Sequence, residues 1–196
     1  MKDLFNRSLR LYGRCILTTV MGAFMYVSVG VITHAITPNS TTLSAGAAFA
    51  MNLVALIIQA FIFCAIIYAE VWTQGDKDGA RVKFGGKESG DPHLGLKMGL
   101  LASIPGFLSF AVLVAEKLIG FWPQYTMLYR AFHLALYPIV AWSIGTQWNV
   151  PAADLSWVGI FCTLIPILAV PLVSWASYNI GYRQIEMAKN LMYKKK

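Results

Sequence analysis

The chain has 196 residues, 57% hydrophobic and 13% charged, with a mean hydropathy of +0.58. A soluble domain carries about 25% charged residues and cannot hide this much apolar surface in one core, so that class is excluded. The net charge of +7 falls in short clusters beside apolar runs rather than along one face, which is the pattern of positive-inside anchoring and not of a nucleic-acid partner.

Residues 1–14 carry Lys2, Arg7, Arg10 and Arg14 against a single Asp3. The three arginines share one helical face, a basic amphipathic lead-in suited to an anionic inner leaflet. From Cys15 to Ile36 there are 22 uncharged residues. A signal-peptide apolar region runs only about 7–15 residues, so this stretch predicts an uncleaved first span over 15–36. Pro38 then ends the helix in a charge-free turn.

A second span is predicted over 45–72, closing on an interfacial Trp72. At 100° per residue, Asn52, Gln59 and Glu70 fall within about 20° of one another. Polar groups at membrane depth face the bundle interior or water. This stripe therefore reads either as interhelical hydrogen bonding, with Glu70 at the cytoplasmic edge, or as the lining of a polar cavity.

Residues 73–95 read as a cytoplasmic loop. Asp76 to Lys87 fails the calcium-loop pattern, because Ala80, Arg81 and Lys87 stand where an oxygen ligand, a glycine and a glutamate are needed. A solvated turn is expected there. Gly85-Gly86 and Gly90 lack the Gly-Lys-Ser/Thr of a phosphate loop. Asp91-Pro92 predicts a helix start, and a span over 96–115 follows. In that helix Gly95, Gly99 and Ser103 recur every fourth residue, a small-residue row that lets another helix approach closely. Pro105-Gly106 should kink it.

The segments Gly75-Asp76-Lys77-Asp78, Val82-Lys83-Phe84-Gly85 and Gly95-Leu96-Lys97-Met98-Gly99-Leu100, with Ser103-Ile104-Pro105, resemble small uncharacterised multipass membrane proteins of clostridia-type Gram-positive bacteria. The aromatic and basic ending, from Gly181-Tyr182-Arg183 to Tyr193-Lys194-Lys195, is similar too. The resemblance covers about a fifth of the chain. It implies an origin and no activity.

Residues 118–148 hold only 18 residues between Ala131 and Trp148, divided by Pro138. Each limb would reach about 10–15 Å, half a bilayer. A last span is predicted over 157–181, bent by Pro166 and Pro171, before a basic tail over 182–196. Basic residues gather in the lead, in the central loop and in the tail. The two other connections have none. Keeping all three clusters inside predicts four transmembrane helices plus a re-entrant or interfacial hairpin at 118–148 in one all-α membrane domain. Five spans are the alternative and would put the tail outside.

Glu116, Arg130 and His133 are expected to meet near the outer surface, either as a structural charge pair or as an anion- or proton-accepting site. Cys15, Cys64 and Cys162 are isolated and apolar in setting, with no metal or redox motif, so no cofactor is expected. No activated nucleophile, catalytic aspartate pair or metalloprotease helix is found, and the chain does not read as an enzyme. Two functional readings remain. One is a structural or interaction subunit in contact with anionic lipid and with other membrane proteins or itself. The other is a solute-transport component.

Overall fold

The computed structural model describes residues 2–36, 45–85, 91–148 and 150–183. Among the described residues all regular structure is helical: α1 (Lys2–Ile36), α2 (Ala45–Lys83), α3 (Leu94–Ala102), α4 (Ile104–Ile119), α5 (Tyr125–Phe132), α6 (Tyr137–Ile144), α7 (Trp157–Cys162) and α8 (Leu164–Tyr182). Short 3-10 turns occupy Leu134–Leu136 and Ala152–Asp154. The turn at 37–44, the glycines Gly86 and Gly90, and the basic residues beyond Arg183 lie outside the described residues.

α1, α2 and the stretch Trp157–Tyr182 are each long and apolar enough to cross a bilayer. α3 and α4, joined at a 45° bend, make a fourth such stretch. The all-α membrane class therefore holds, with three candidate spans, or four when the bent pair is counted as one.

The expected end of the second helix is corrected. α2 does not stop at Trp72 but runs as one helix through Gly75 and Gly79 to Lys83, so the supposed solvated turn is helical. The reason is packing against α8. A Cβ on Gly75 would strike the Tyr178 carbonyl and stand 2.9 Å from the Tyr182 nitrogen, and one on Gly79 would strike the Tyr182 carbonyl. Gly181 of α8 reciprocates against the Trp72 carbonyl. A glycine costs a helix interior about 1 kcal/mol relative to alanine. Close backbone contact over about two turns offsets that cost, and local propensity loses to tertiary packing.

The third stretch bends by 45° at Ser103, as its proline suggests, while the last is one candidate span, Trp157–Tyr182, interrupted by a single turn residue at Thr163. α3 ends at Ser103, two residues before Pro105, whose ring removes the N–H that would bond one turn back. The Ser103 hydroxyl donates to the Gly99 carbonyl at 2.8 Å and to the Ile167 carbonyl at 3.4 Å. Thr163 breaks α7 from α8 in the same way, three residues before Pro166, while Pro171 stays within α8. Helix α3 begins at Leu94 after a turn, with Asp91 accepting from the His93 N–H at 2.9 Å. Lys97, bonded at 2.5 Å, and then the His93 N–H hold the Asp91 carboxylate below its ordinary range.

Two apolar cores result. The first joins α1, α2, α3 and α8 through Leu11, Ile67, Val71, Met98 and Tyr178. The second joins α4, α5, α6 and α7 through Leu113, Tyr129, Val140 and Ile160. Between them the segment 118–148 forms two limbs, α5 and α6, of eight residues each, about 12 Å apiece. The limbs meet at Leu134–Leu136, and Pro138 opens the second. That turn packs on α1, where a Cβ on Gly22 would overlap the Leu134 carbonyl. Gly22 lies about 21 Å short of the Ile36 end of α1, so the hairpin turns near the midpoint of that helix.

Candidate functional site

The chemistry-bearing residues fall into three places. The first is the end of the bundle that gathers Arg7, Arg10, Arg14, Lys77, Arg81 and Lys97. There Asp78, buried on α2, accepts two hydrogen bonds from the Arg7 guanidinium of α1, at 2.5 and 3.2 Å. It also accepts one from the Tyr178 hydroxyl of α8 at 3.0 Å. Asp3 adds a second carboxylate to Arg7 at 3.0 Å. One carboxylate thus fastens three helices, and the bidentate geometry fixes their register. Sequence reading missed it because Asp78 was placed in a solvated turn.

Beside this knot, α1 and α2 diverge around a groove of about 580 Å³. Arg10, Arg14, Glu70, Thr73, Gln74 and Lys77 line its polar part, and Leu17, Ala65, Ile66 and Ala69 continue it along the apolar part of the helices. Glu70, Thr73, Gln74 and Lys77 are spaced i, i+3, i+4, i+7, one helical face. That face was hidden in the sequence by the assumption that the helix ends at Trp72.

The expected polar stripe of Asn52, Gln59 and Glu70 does not act as one lining. Asn52 donates to its own helix, at the Ala48 carbonyl, 3.0 Å away. Gln59 is buried, and its Oε1 has no hydrogen-bond partner among the described residues. Glu70 alone reaches the groove, where Arg14 meets it at 3.2 Å and Gln74 donates to it at 3.0 Å.

The second place is the hairpin. Its α5, with the capping His133, is polar inward and apolar outward: Tyr125, Thr126, Tyr129, Arg130 and His133 are buried, while Met127, Leu128 and Phe132 are exposed. Tyr125 donates to the hydroxyl and carbonyl of Ser109 at 3.0 Å. Tyr129 donates to the Thr163 hydroxyl at 2.7 Å, at the break between α7 and α8. Arg130 is wholly buried and donates to the Gly145 carbonyl and, at 2.9 Å, to the Ile144 carbonyl. It caps the C-terminal end of α6, where carbonyls lack helical partners and the dipole favours a cation.

The expected meeting of Glu116, Arg130 and His133 is therefore corrected. Glu116 is buried but accepts from the Trp122 N–H, closing the loop after α4. His133 stacks beside Tyr129 with ring centroids 4.4 Å apart. Neither pairs with Arg130 in any hydrogen bond or salt bridge among the described residues. The physical reason is local: Glu116 and Arg130 are taken by main-chain groups close by, and His133 by the ring of Tyr129. Where the hairpin leaves the bundle, the Trp148 indole donates to the Tyr26 hydroxyl of α1 at 2.8 Å, and Tyr26 meets Tyr137 edge-on at 4.6 Å.

The third place is the small-residue row. Gly95 lies against the Tyr178 Cβ and the Ser174 carbonyl, Gly99 against Pro171 and Ser174, and Ser103 against Ile167. The row is a helix-packing face, as its spacing suggests, but it is occupied by α8 of the same chain. Among the described residues no cluster of three or more potential metal ligands occurs. Compared with protein-family models, with curated proteins and with solved structures, the chain matches none.

Proposed function

We propose that this protein is a structural or interaction subunit of a membrane assembly, seated in the cytoplasmic membrane with its basic end inward. The observation that carries this reading is the bareness of α1 and of the first half of α2. Only 11% of the most apolar window of α1 is buried, against 44% for the last span. Phe24, Val27, Val31 and Ile32 on α1, with Phe49, Val54 and Ile57 on α2, are large, apolar and exposed toward the end away from the basic cluster. Packing holds helices together in lipid, and here two long helices offer an open face for an apolar helix of a partner. The small-residue row cannot serve that purpose, because α8 already fills it.

A photo-reactive amino acid at Val27 or Val31, activated in intact membranes, is expected to give a discrete protein adduct whose mass identifies the partner. The same probe at Leu172 on α8 should give none. Lipid adducts alone from all three positions would refute the reading. Orientation is checked separately: an epitope tag at the carboxyl end is expected to stay inaccessible in intact cells and become accessible on permeabilisation. Labelling without permeabilisation would require an odd number of crossings after α2 and would remove the inward assignment.

A second reading, a solute-transport component, is favoured by one specific feature. Thr126 Oγ1, Arg130 Nε and His133 Nε2 are buried along α5 without hydrogen-bond partners among the described residues. Such atoms line solute paths when water reaches them. The cross-helix bonds of Tyr125, Tyr129 and Arg130 weigh the other way, since they tie this region shut.

A further inference from the structure

The groove between α1 and α2 joins two chemistries that ordinary packing would keep apart. Three cations, Arg10, Arg14 and Lys77, stand around one carboxylate, Glu70. Arg14 is committed to that carboxylate at 3.2 Å. Arg10 and Lys77 form no ion pair among the described residues, so the opening keeps uncompensated positive charge. Gln74 supplies a second signal. Its amide nitrogen is used on Glu70, leaving Oε1 buried with no donor among the described residues. A buried acceptor left without a donor costs about 1–3 kcal/mol, so a rotation of Gln74 that brings Oε1 to the groove wall to meet a hydroxyl is favoured.

Depth sets what else the occupant must be. Leu17 lies one to two turns further along α1 than Arg10 and Arg14, and Ala65 and Ile66 lie about 16–18 Å from Lys77 along α2. The groove therefore begins at headgroup level and continues beside hydrocarbon, with small Ala65 and Ala69 leaving room along its wall. Its volume of about 580 Å³ lies within the range of small-molecule sites. A free anion would leave the apolar wall unused, and a neutral lipid would leave the charge uncompensated.

We propose that this groove is a binding site for one anionic phospholipid, its phosphate held between Arg10 and Lys77, a headgroup hydroxyl on Gln74, and an acyl chain along Leu17, Ala65 and Ile66. The site is distinct from the bare apolar face of α1 and α2 and does not depend on a protein partner.

The test uses the full chain purified in a neutral detergent and titrated with phosphatidylglycerol or phosphatidylcholine, with bound lipid counted by native mass spectrometry. One phosphatidylglycerol should be retained per chain in preference to phosphatidylcholine. Each basic side chain near anionic lipid is worth about fivefold, so Arg10→Gln with Lys77→Gln should weaken retention about 25-fold. Both side chains are exposed, and an unchanged elution profile will show that the fold is intact. Ala69→Leu, which fills the wall without altering charge, should also reduce retention. Lys2→Gln with Arg183→Gln removes two charges from the same end outside the groove and should change retention less than threefold. Three results would overturn the proposal: equal retention of the two lipids, equal loss from the outer pair, or displacement of the lipid by millimolar glycerol phosphate, which would mean a free-anion site.

Discussion

Gly79→Leu is expected to leave little folded protein. The nearest atoms to a Cβ at this position are all backbone, with the Tyr182 carbonyl carbon at 3.0 Å and its Cα at 3.2 Å. No flexible side chain can yield, so α2 and α8 must separate. Overpacking a core costs about 1–3 kcal/mol when side chains can adjust, and more when only backbone can move. Against a total stability of about 5–15 kcal/mol, one such change removes a large share. Gly99→Leu should behave alike on the other side of α8, where Pro171 and Ser174 crowd the site. Thermal unfolding and size-exclusion elution in detergent would report both. Gly13→Leu is the control, since no atom lies within 4 Å of its added Cβ. If Gly79→Leu unfolds at the same temperature as Gly13→Leu, the α2–α8 seam is not what holds the bundle together.

Asp78 is the second position where a large loss is expected. Asp78→Leu strands the Arg7 guanidinium, whose side chain is only 16% exposed, and takes the acceptor from Tyr178. Removing one partner of a buried ion pair typically costs about 3–5 kcal/mol. Asp3 still reaches Arg7, so the loss should fall near 3 kcal/mol. The informative comparison is the double variant Arg7→Met with Asp78→Leu. With both charges gone no buried charge is left uncompensated, since Asp3 and Arg81 are exposed; the Tyr178 hydroxyl still lacks its acceptor, and stability should recover to within about 1–2 kcal/mol of the parent protein. Chemical unfolding in detergent would measure each member of the cycle. Additive losses in the double variant would show that the pair is solvated and contributes no coupling.

Much of the architecture could be read from the residues. The apolar runs marked the long helices, Pro105 marked the break in the third stretch, and Pro138 together with limb length marked the hairpin. Gly95, Gly99 and Ser103 declared themselves as a packing row. What could not be read was who fills that row, because a four-residue period is the same whether the neighbouring helix belongs to the same chain or to another. The continuation of α2 was hidden for a related reason. Gly75-Asp76-Lys77-Asp78-Gly79 has the composition of a turn, and only the presence of α8 makes it a helix. With that helix unseen, Asp78 and the groove-lining Lys77 were unseen as well. The charged trio failed differently. Glu116, Arg130 and His133 lie in one region of the chain, yet Glu116 and Arg130 are captured by nearby main chain at Trp122, Ile144 and Gly145.

The turn at Leu134–Leu136, packed on the middle of α1, bears on the order of assembly. Both limbs are too short to span lipid alone, and α5 also carries a buried arginine. They become tolerable only once α1 presents Gly22, and once the broken last stretch offers Thr163 to Tyr129. The contacts of the hairpin with Gly22 and Thr163 can therefore close only after the carboxyl-terminal stretch is in place. A chain halted before Thr163 would leave Tyr129 without its hydroxyl partner, with only the Ile144 and Gly145 carbonyls inside the hairpin to hold Arg130.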